Sequence, residues 1–160
     1  MTDPPPWLPP LITLGDAENS WELFIGAVYA KFRHDFITSQ PRYEGRWVRC
    51  RRDPIIDGKE AGFWHCASEG RDEVSRTPDL RRCERIAWVR AVLENARDPL
   101  VESWLSPRGS DRRTVLWLNE EYVVVLADRR KTWQLITAYC TFEDHQRRKL
   151  RSARDASRNG

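Results

Sequence analysis

The sequence predicts an α+β domain in which an antiparallel sheet packs against helices. Three observations carry this. The C-terminal half holds three strand-like runs, RRTVLWLN (112–119), EYVVVLAD (121–128) and TWQLITAYC (132–140), whose links, Glu120 and Arg129 to Lys131, are short enough to demand antiparallel hairpins in a meander. The order helix, two strands, helix, three strands, helix does not alternate as a βαβ chain does. Finally, 40% hydrophobic and 11% aromatic residues, eight of them tryptophan, are the composition of a chain with a packed interior, despite a charged fraction of 32%. A length of 160 residues suffices for one such core and is short for two.

Each element follows from local signals. Pro4, Pro5, Pro6, Pro9 and Pro10 cannot enter a helix or sheet interior, so residues 1–15 are expected as an extended arm, laid on the surface or free. From Ser20 to about Ile37, Trp21, Leu23, Phe24, Val28, Tyr29, Phe32 and Phe36 recur near helical spacing, with Asn19 or Ser20 as the cap. RYEGRWVRCRR (42–52) and EAGFWHCAS (60–68) read as a strand pair, separated by Asp-Pro and Asp-Gly turn chemistry. Within the second, alternation sets Phe63, His65 and Ala67 on one side and Trp64 and Cys66 on the other. Thr77 followed by Pro78 predicts a helix start, with the helix running to Ala96. On the third meander strand, strict alternation groups Trp133, Leu135, Thr137 and Tyr139 on one face and Gln134, Ile136, Ala138 and Cys140 on the other. Thr141 and Asp144 resemble a capping box for a last helix that frays after Ala153. The domain is thus expected over 16–153, with 154–160 as a tail.

A net charge of +3 and a pI near 8.8 make the whole-molecule field a weak argument for nucleic acid. The distribution says more. Arginine gathers at 42–52, 81–90, 112–113 and 147–154, interleaved with Trp47, Trp88 and Trp117. Arginine with aromatic rings suits phosphate forks and base stacking, and equally an arginine-rich solvated surface. No apolar run reaches the roughly 18–20 residues of a membrane span, and the N-terminus has no signal-peptide pattern, so a cytoplasmic protein without membrane contact is expected. Cys50, Cys66, Cys83 and Cys140 form no CxxC pair and are expected as reduced, mostly buried thiols rather than a zinc site. There is no Walker loop, GxGxxG or GxSxG.

On a helical wheel of 78–96, Arg82, Arg85 and Arg90 fall inside the apolar arc of Cys83, Ile86, Ala87, Val89, Val92, Leu93 and Ala96. Burying an unpaired guanidinium costs several kcal/mol, so each needs a carboxylate (Glu60, Glu69 or Asp72), an escape to the edge, or a polar cleft that receives an anion. His65 reads three ways: a hydrogen-bonded core histidine, an acid/base catalyst, or a metal ligand with Cys66. The last is opposed by the opposite facing of adjacent strand residues. The inventory of His65, the arginines and the Thr137 and Tyr139 hydroxyls meets what metal-free RNA cleavage requires: a base for the 2′-hydroxyl, an acid for the leaving 5′-oxygen and a cation or hydroxyl for the phosphorane. Thr and Tyr are also simply good strand residues.

The helix RRCERIAWVRAVLENA, a polar loop, the meander RRTVLWLN, EYVVVLADRR, TWQLITAYCTF and a basic terminal helix together resemble the layout of the barnase, EndoU, colicin and RelE-like ribonuclease superfamily, particularly its phage and mobile-element branches. The resemblance covers about residues 60–153, with LITAYCTF its most recognisable piece. It implies a helix on a four-stranded antiparallel sheet with an RNA-cleaving site on the open sheet face. Carried onto this chain, it makes His65 the acid/base group, Arg113 a phosphate ligand, Thr137 and Tyr139 the hydroxyl end of the site and, by a looser match, Arg85 a further catalytic cation. Arg82, Arg112 and Trp117 would bind the substrate. Glu69 could serve instead as base and His145 as acid. It further implies a toxin-like enzyme that uses no cofactor or metal, takes RNA as partner, and admits an antitoxin or immunity protein. Two other classes stay open: a non-catalytic nucleic-acid-binding module using the same basic cleft, and a protein-interaction module using the tryptophans and the proline arm. Convergence of histidine, arginine and hydroxyl on one phosphate position separates the enzyme from the binders.

Overall fold

The computed structural model describes residues 3–159, so Met1, Thr2 and Gly160 of the expected arm and tail lie outside it. The fold is α+β. The proline arm does not hang free. Trp7 donates its indole N–H to Asp98 (2.9 Å), Pro9 O accepts from the Trp88 indole (2.9 Å) and Ile12 N–H reaches Glu84 O (3.0 Å), so the arm straps the helical layer. Helix α1 (Trp21–Arg33) is capped by Ser20, whose hydroxyl accepts from Leu23 N–H, and ends in a single π turn, His34–Thr38. The hairpin β1 (Arg42–Tyr43) and β2 (Arg46–Cys50) turns at Glu44 and Gly45, and the smaller β3 (Ile55–Ile56) and β4 (Lys59–Glu60) at Asp57 and Gly58. All four turn residues have positive φ, as a two-residue hairpin requires.

GFWHCAS is helical, not extended: α2 spans Ala61–Ala67. Ala61, Gly62, Phe63, Cys66 and Ala67 are all buried, a pattern no two-sided strand alternation accommodates. The cause lies in β10 (Trp133–Cys140). Strand β2 pairs with it in parallel only as far as Leu135–Cys50, and α2 packs against the exposed edge beyond. Phe63 completes the contact by meeting Tyr29 (5.2 Å) and Phe32 (5.5 Å) edge-on.

After the short pair β5 (Ser68–Glu69) and β6 (Thr77–Pro78), the predicted single helix is two, α3 (Leu80–Glu84) and α4 (Ile86–Glu94), broken at Arg85 (φ −106°, ψ 17°). Its cap is Asp79, which accepts from Arg82 N–H (3.1 Å), because Thr77 is taken into β6. The meander forms as β8 (Arg113–Leu118), β9 (Tyr122–Asp128) and β10, preceded by β7 (Val101–Leu105), a strand the sequence reading leaves as loop. The sheet order is β1-β2-β10-β9-β8-β7, antiparallel except for β2 beside β10.

Two apolar layers result. On one sheet face Phe24, Val28, Phe32, Ile86, Val89 and Val92 pack on Leu116, Tyr122, Val124, Leu126 and Leu135. On the other lie Trp104, Val115, Trp117, Val123 and Val125, met by Leu150 of α5 (Asp144–Asn159). Helix α5 does not fray at Ala153. Arg154 and Arg158 pair with Glu102 (3.0 and 3.1 Å) and Arg151 donates to Glu120 (2.7 Å). Thr141 caps nothing; its hydroxyl accepts from the Trp117 indole (3.0 Å) and donates to Glu120 O (2.9 Å).

At Gly62 an added Cβ would lie 2.9 Å from Arg51 O and from Cys50 Cβ, neither able to swing aside. Gly62→Ala is therefore expected to destabilise the fold by about 1–3 kcal/mol through overpacking, read as a lower urea midpoint with unchanged slope.

Candidate nucleic-acid interface

Strand β10 decides which side chains reach the second sheet face. Leu135 pairs with Leu126 and Thr137 with the adjacent Val125, so Ile136 is the extra residue of a bulge. The bulge reverses the parity expected from alternation. Trp133 and Leu135 share the helical core with Ala138 and Cys140, while Ile136, Thr137 and Tyr139 turn to the face under α5. Thr137 and Tyr139 do share a face, but not with Trp133 and Leu135.

Two hollows open on that face. One, a cavity of about 400 Å³ between sheet and α5, is lined by Arg108, Arg113, Thr137, Tyr139, His145 and Lys149 among others. The next, of about 370 Å³, is lined by Arg51, His65, Arg113, Arg129, Gln134 and Ile136 among others. Arg113 belongs to both. Its Nε donates to Asp111 Oδ2 (2.8 Å), whose Oδ1 accepts from Arg129 (2.6 Å), and Arg129 Nε continues to Gln134 Oε1 (2.9 Å). The hydrogen bond from Arg113, then that from Arg129, holds the Asp111 carboxyl below its ordinary pKa. The carboxylates paired with the cations of these hollows are Asp111 and Glu73, against Arg51, Arg108, Arg113, Arg129 and Lys149, so the face is positive.

His65 sits at its edge. Nε2 lies 3.0 and 3.1 Å from the two Glu73 oxygens, and Arg51 donates to the same carboxylate (3.0 Å). Desolvation pushes Glu73 up, but the His65 hydrogen bond and the charges of His65, Arg51 and Arg76 outweigh it and the carboxyl is held below its ordinary pKa. The backbone carbonyl of His65 accepts from Thr137 Oγ1 (2.8 Å) and from Arg82 (3.3 Å). Thr137 thus fastens α2 to β10, and Arg82 fastens it to α3. Arg82 also donates to Ser68 O and lies 5.8 Å from the Tyr139 ring centroid. Tyr139 is a neutral hydroxyl near neutral pH: burial raises its pKa, with Arg82 and Arg108 pulling the other way. His145 projects from the first turn of α5, 69% exposed, with Nδ1 3.3 Å from Glu143.

Three predicted site residues lie elsewhere. Arg85 is on the helical side, its guanidinium 5.1 Å from the Trp88 ring and 5.0 Å from that of Phe142. Arg112 precedes β8 with the parity opposite to Arg113; it lines neither of the two hollows but a third, with Leu105, Pro107, Trp133 and Arg113 itself. Trp117 is wholly buried, edge-on to Trp104 (6.0 Å), and cannot stack on a base. Glu69 is exposed on β5 and lines neither hollow. The arginines of the apolar arc are not answered by Glu60, Glu69 or Asp72. Their carboxylates come from the same helices: Asp79 lies 3.9 Å from Arg82 and Glu84 3.5 Å from Arg85, both arginines adding backbone carbonyls and aromatic rings, while Arg90 reaches Asp35 O (3.0 Å), Ser39 Oγ (2.8 Å) and Glu94 (3.2 Å).

The sequence reading missed Arg51, Glu73, Arg108, Arg129, Gln134 and Lys149. Their only signal was the polar SPRGSDRR loop and the charges flanking each strand. All four cysteines are free, and among the described residues no group of three His, Cys, Asp or Glu side chains could hold a metal ion. No helix among them is long and apolar enough to cross a membrane. No protein-family model, curated protein or solved structure matches the chain.

Because Glu73 is held low in the folded state, its contacts to His65 and Arg51 stabilise the 70–76 loop at pH above its ordinary pKa and are lost as pH falls through the folded value. A ¹³C-detected titration is expected to place the Glu73 carboxyl below an ordinary glutamate, and His65→Ala to move it upward.

Proposed function

We propose that the chain is a toxin-like ribonuclease, acting in the cytoplasm, that holds RNA on the second face of the sheet and cleaves it by attack of the 2′-hydroxyl. One observation carries the reading: Arg113 lines two adjoining hollows, with His65 in one and His145 in the other. An arginine pre-oriented by Asp111, with an imidazole in each of the two hollows it lines, supplies the groups a scissile phosphate needs. One histidine takes the 2′-hydroxyl proton as O2′ bonds to phosphorus. Arg113 and the Tyr139 hydroxyl hold the phosphorane oxygens. The P–O5′ bond then breaks, O5′ takes a proton from the other histidine, and a 2′,3′-cyclic phosphate and a free 5′-hydroxyl remain. Arg108 and Lys149 neutralise neighbouring phosphates. Thr137 and Arg82 act as positioning residues through the His65 carbonyl. The superfamily resemblance supports the reading in layout, in the antiparallel meander backed by helices on one face, although here α5 covers part of the other face beside the basic cleft. It also brings an antitoxin or immunity protein as the partner that would occlude the cleft.

A second reading, a non-catalytic RNA-binding module on the same cleft, is favoured by the engagement of His65 Nε2 with Glu73 and of the Thr137 hydroxyl with a carbonyl.

The test is incubation of labelled total RNA and a tRNA pool with purified protein in EDTA. Cleavage with 2′,3′-cyclic phosphate ends is expected, reduced about 10²–10⁴-fold in His65→Ala and in His145→Ala, with both variants folded by circular dichroism. Absence of cleavage with strongly salt-dependent RNA binding that Arg113→Ala weakens establishes the binding module instead. Absence of both removes the cleft from RNA chemistry.

A further inference from the structure

Beyond the Arg113 centre, the strand register lays out a row that cleavage does not require. Arg49 of β2 pairs with Gln134 of β10, Gln134 with Ala127 of β9, and Ala127 with Arg113 of β8. Residues in one cross-strand row point to the same side, so Arg49, Gln134 and Arg113 lie on one line across the second face, about 14 Å from end to end at ~4.8 Å per strand. Arg129 and Asp111 fill the interval by hydrogen bonds, fixing the row in place. Two residues before Arg49 on the same side stands Trp47, 44% exposed. It pairs across the hairpin with Arg42, whose guanidinium lies 4.1 Å from the indole centroid. Tyr43 and Arg46, the alternate pair of that hairpin, turn to the opposite side against Trp133 (5.3 and 4.0 Å). A half-exposed indole with a guanidinium against its ring, at the end of a basic row, offers a stacking surface for an unpaired base.

We propose that this row is a track for single-stranded RNA that runs from Arg113 past Gln134 and Arg49 to a base stacked on Trp47. The inference rests on the RNA reading above and deepens it by naming the substrate class. The bases of a duplex are stacked inside and present phosphates only, whereas a strand with splayed bases can use Arg49 and Trp47 together. The positive row favours a polyanion over an apolar partner.

The experiment is fluorescence anisotropy with labelled 2′-O-methyl oligouridylates, a trimer and a dodecamer, which lack the attacking hydroxyl and so survive in contact with the protein. Trp47→Ala is expected to weaken the dodecamer by about 5- to 100-fold and leave the trimer unchanged, and Trp47→Phe to keep most of the dodecamer affinity. A Trp47→Ala protein that binds the dodecamer as the native chain does, while Arg113→Ala weakens it, overturns the track and leaves the RNA cleft standing. A native chain that binds neither oligomer overturns both. Because Trp47 is half-exposed, loss of folding in Trp47→Ala is checked by its urea midpoint, and Arg49→Ala, expected to weaken the dodecamer and leave the trimer unchanged, tests the track independently: unchanged dodecamer binding there overturns it.

Discussion

One extra residue in β10 governs how this domain divides its two faces. With strict alternation, Thr137 and Tyr139 would follow Trp133 and Leu135 into the helical core, and Ala138 and Cys140 would face α5. The bulge at Ile136 reverses this halfway along the strand. The first half buries Trp133 and Leu135 and the second half buries small Ala138, while two hydroxyls turn outward to the cleft. Strand β2 ends its pairing at the same level, so α2 can lie on the vacated edge of β10 and bring His65 beside it. Thr137 closes the arrangement by bonding the His65 carbonyl.

Charge follows the same partition. On the helical side, the arginines that face apolar neighbours are answered locally: Asp79, Glu84 and Glu94 pair with Arg82, Arg85 and Arg90, supplemented by backbone carbonyls and by rings such as Trp88 and Phe142. On the cleft side, Asp111 is shared between Arg113 and Arg129, which orients both and cancels only part of their charge. Helix α5, which walls the first hollow, buries no residue fully. It is fixed by arginines on Glu102 and Glu120 around the single apolar contact of Leu150. Much of the arginine content is therefore architectural.

The α+β class, the meander and the amphipathic α1 were legible because apolar periodicity and turn chemistry act over a few residues. GFWHCAS was not, because its helical state is set by a strand edge distant in sequence. The bulge was equally hidden, since LITAYC reads as a regular strand and only its pairing with Val123–Leu126 reveals the insertion. Arg113, Tyr139 and His145 were recoverable as chemistry-bearing residues near the meander. Arg85, Arg112 and Trp117 fall outside the two hollows, because which side of a strand or helix is left open depends on what covers the other. Trp47 was visible as an aromatic among arginines, but its role depends on the register that aligns Arg49 with Arg113.

The central claim is that RNA is held on the sheet face under α5 and not on the helical face. Titrating ¹⁵N-labelled protein with a 2′-O-methyl oligouridylate tests it most directly. The perturbed signals are expected to cluster at Arg113, Tyr139, His65, His145 and the Trp47 indole, with the Trp88 and Trp117 indoles unmoved. Perturbations centred on Arg85 and Trp88, or none on β8 and β10, would contradict it.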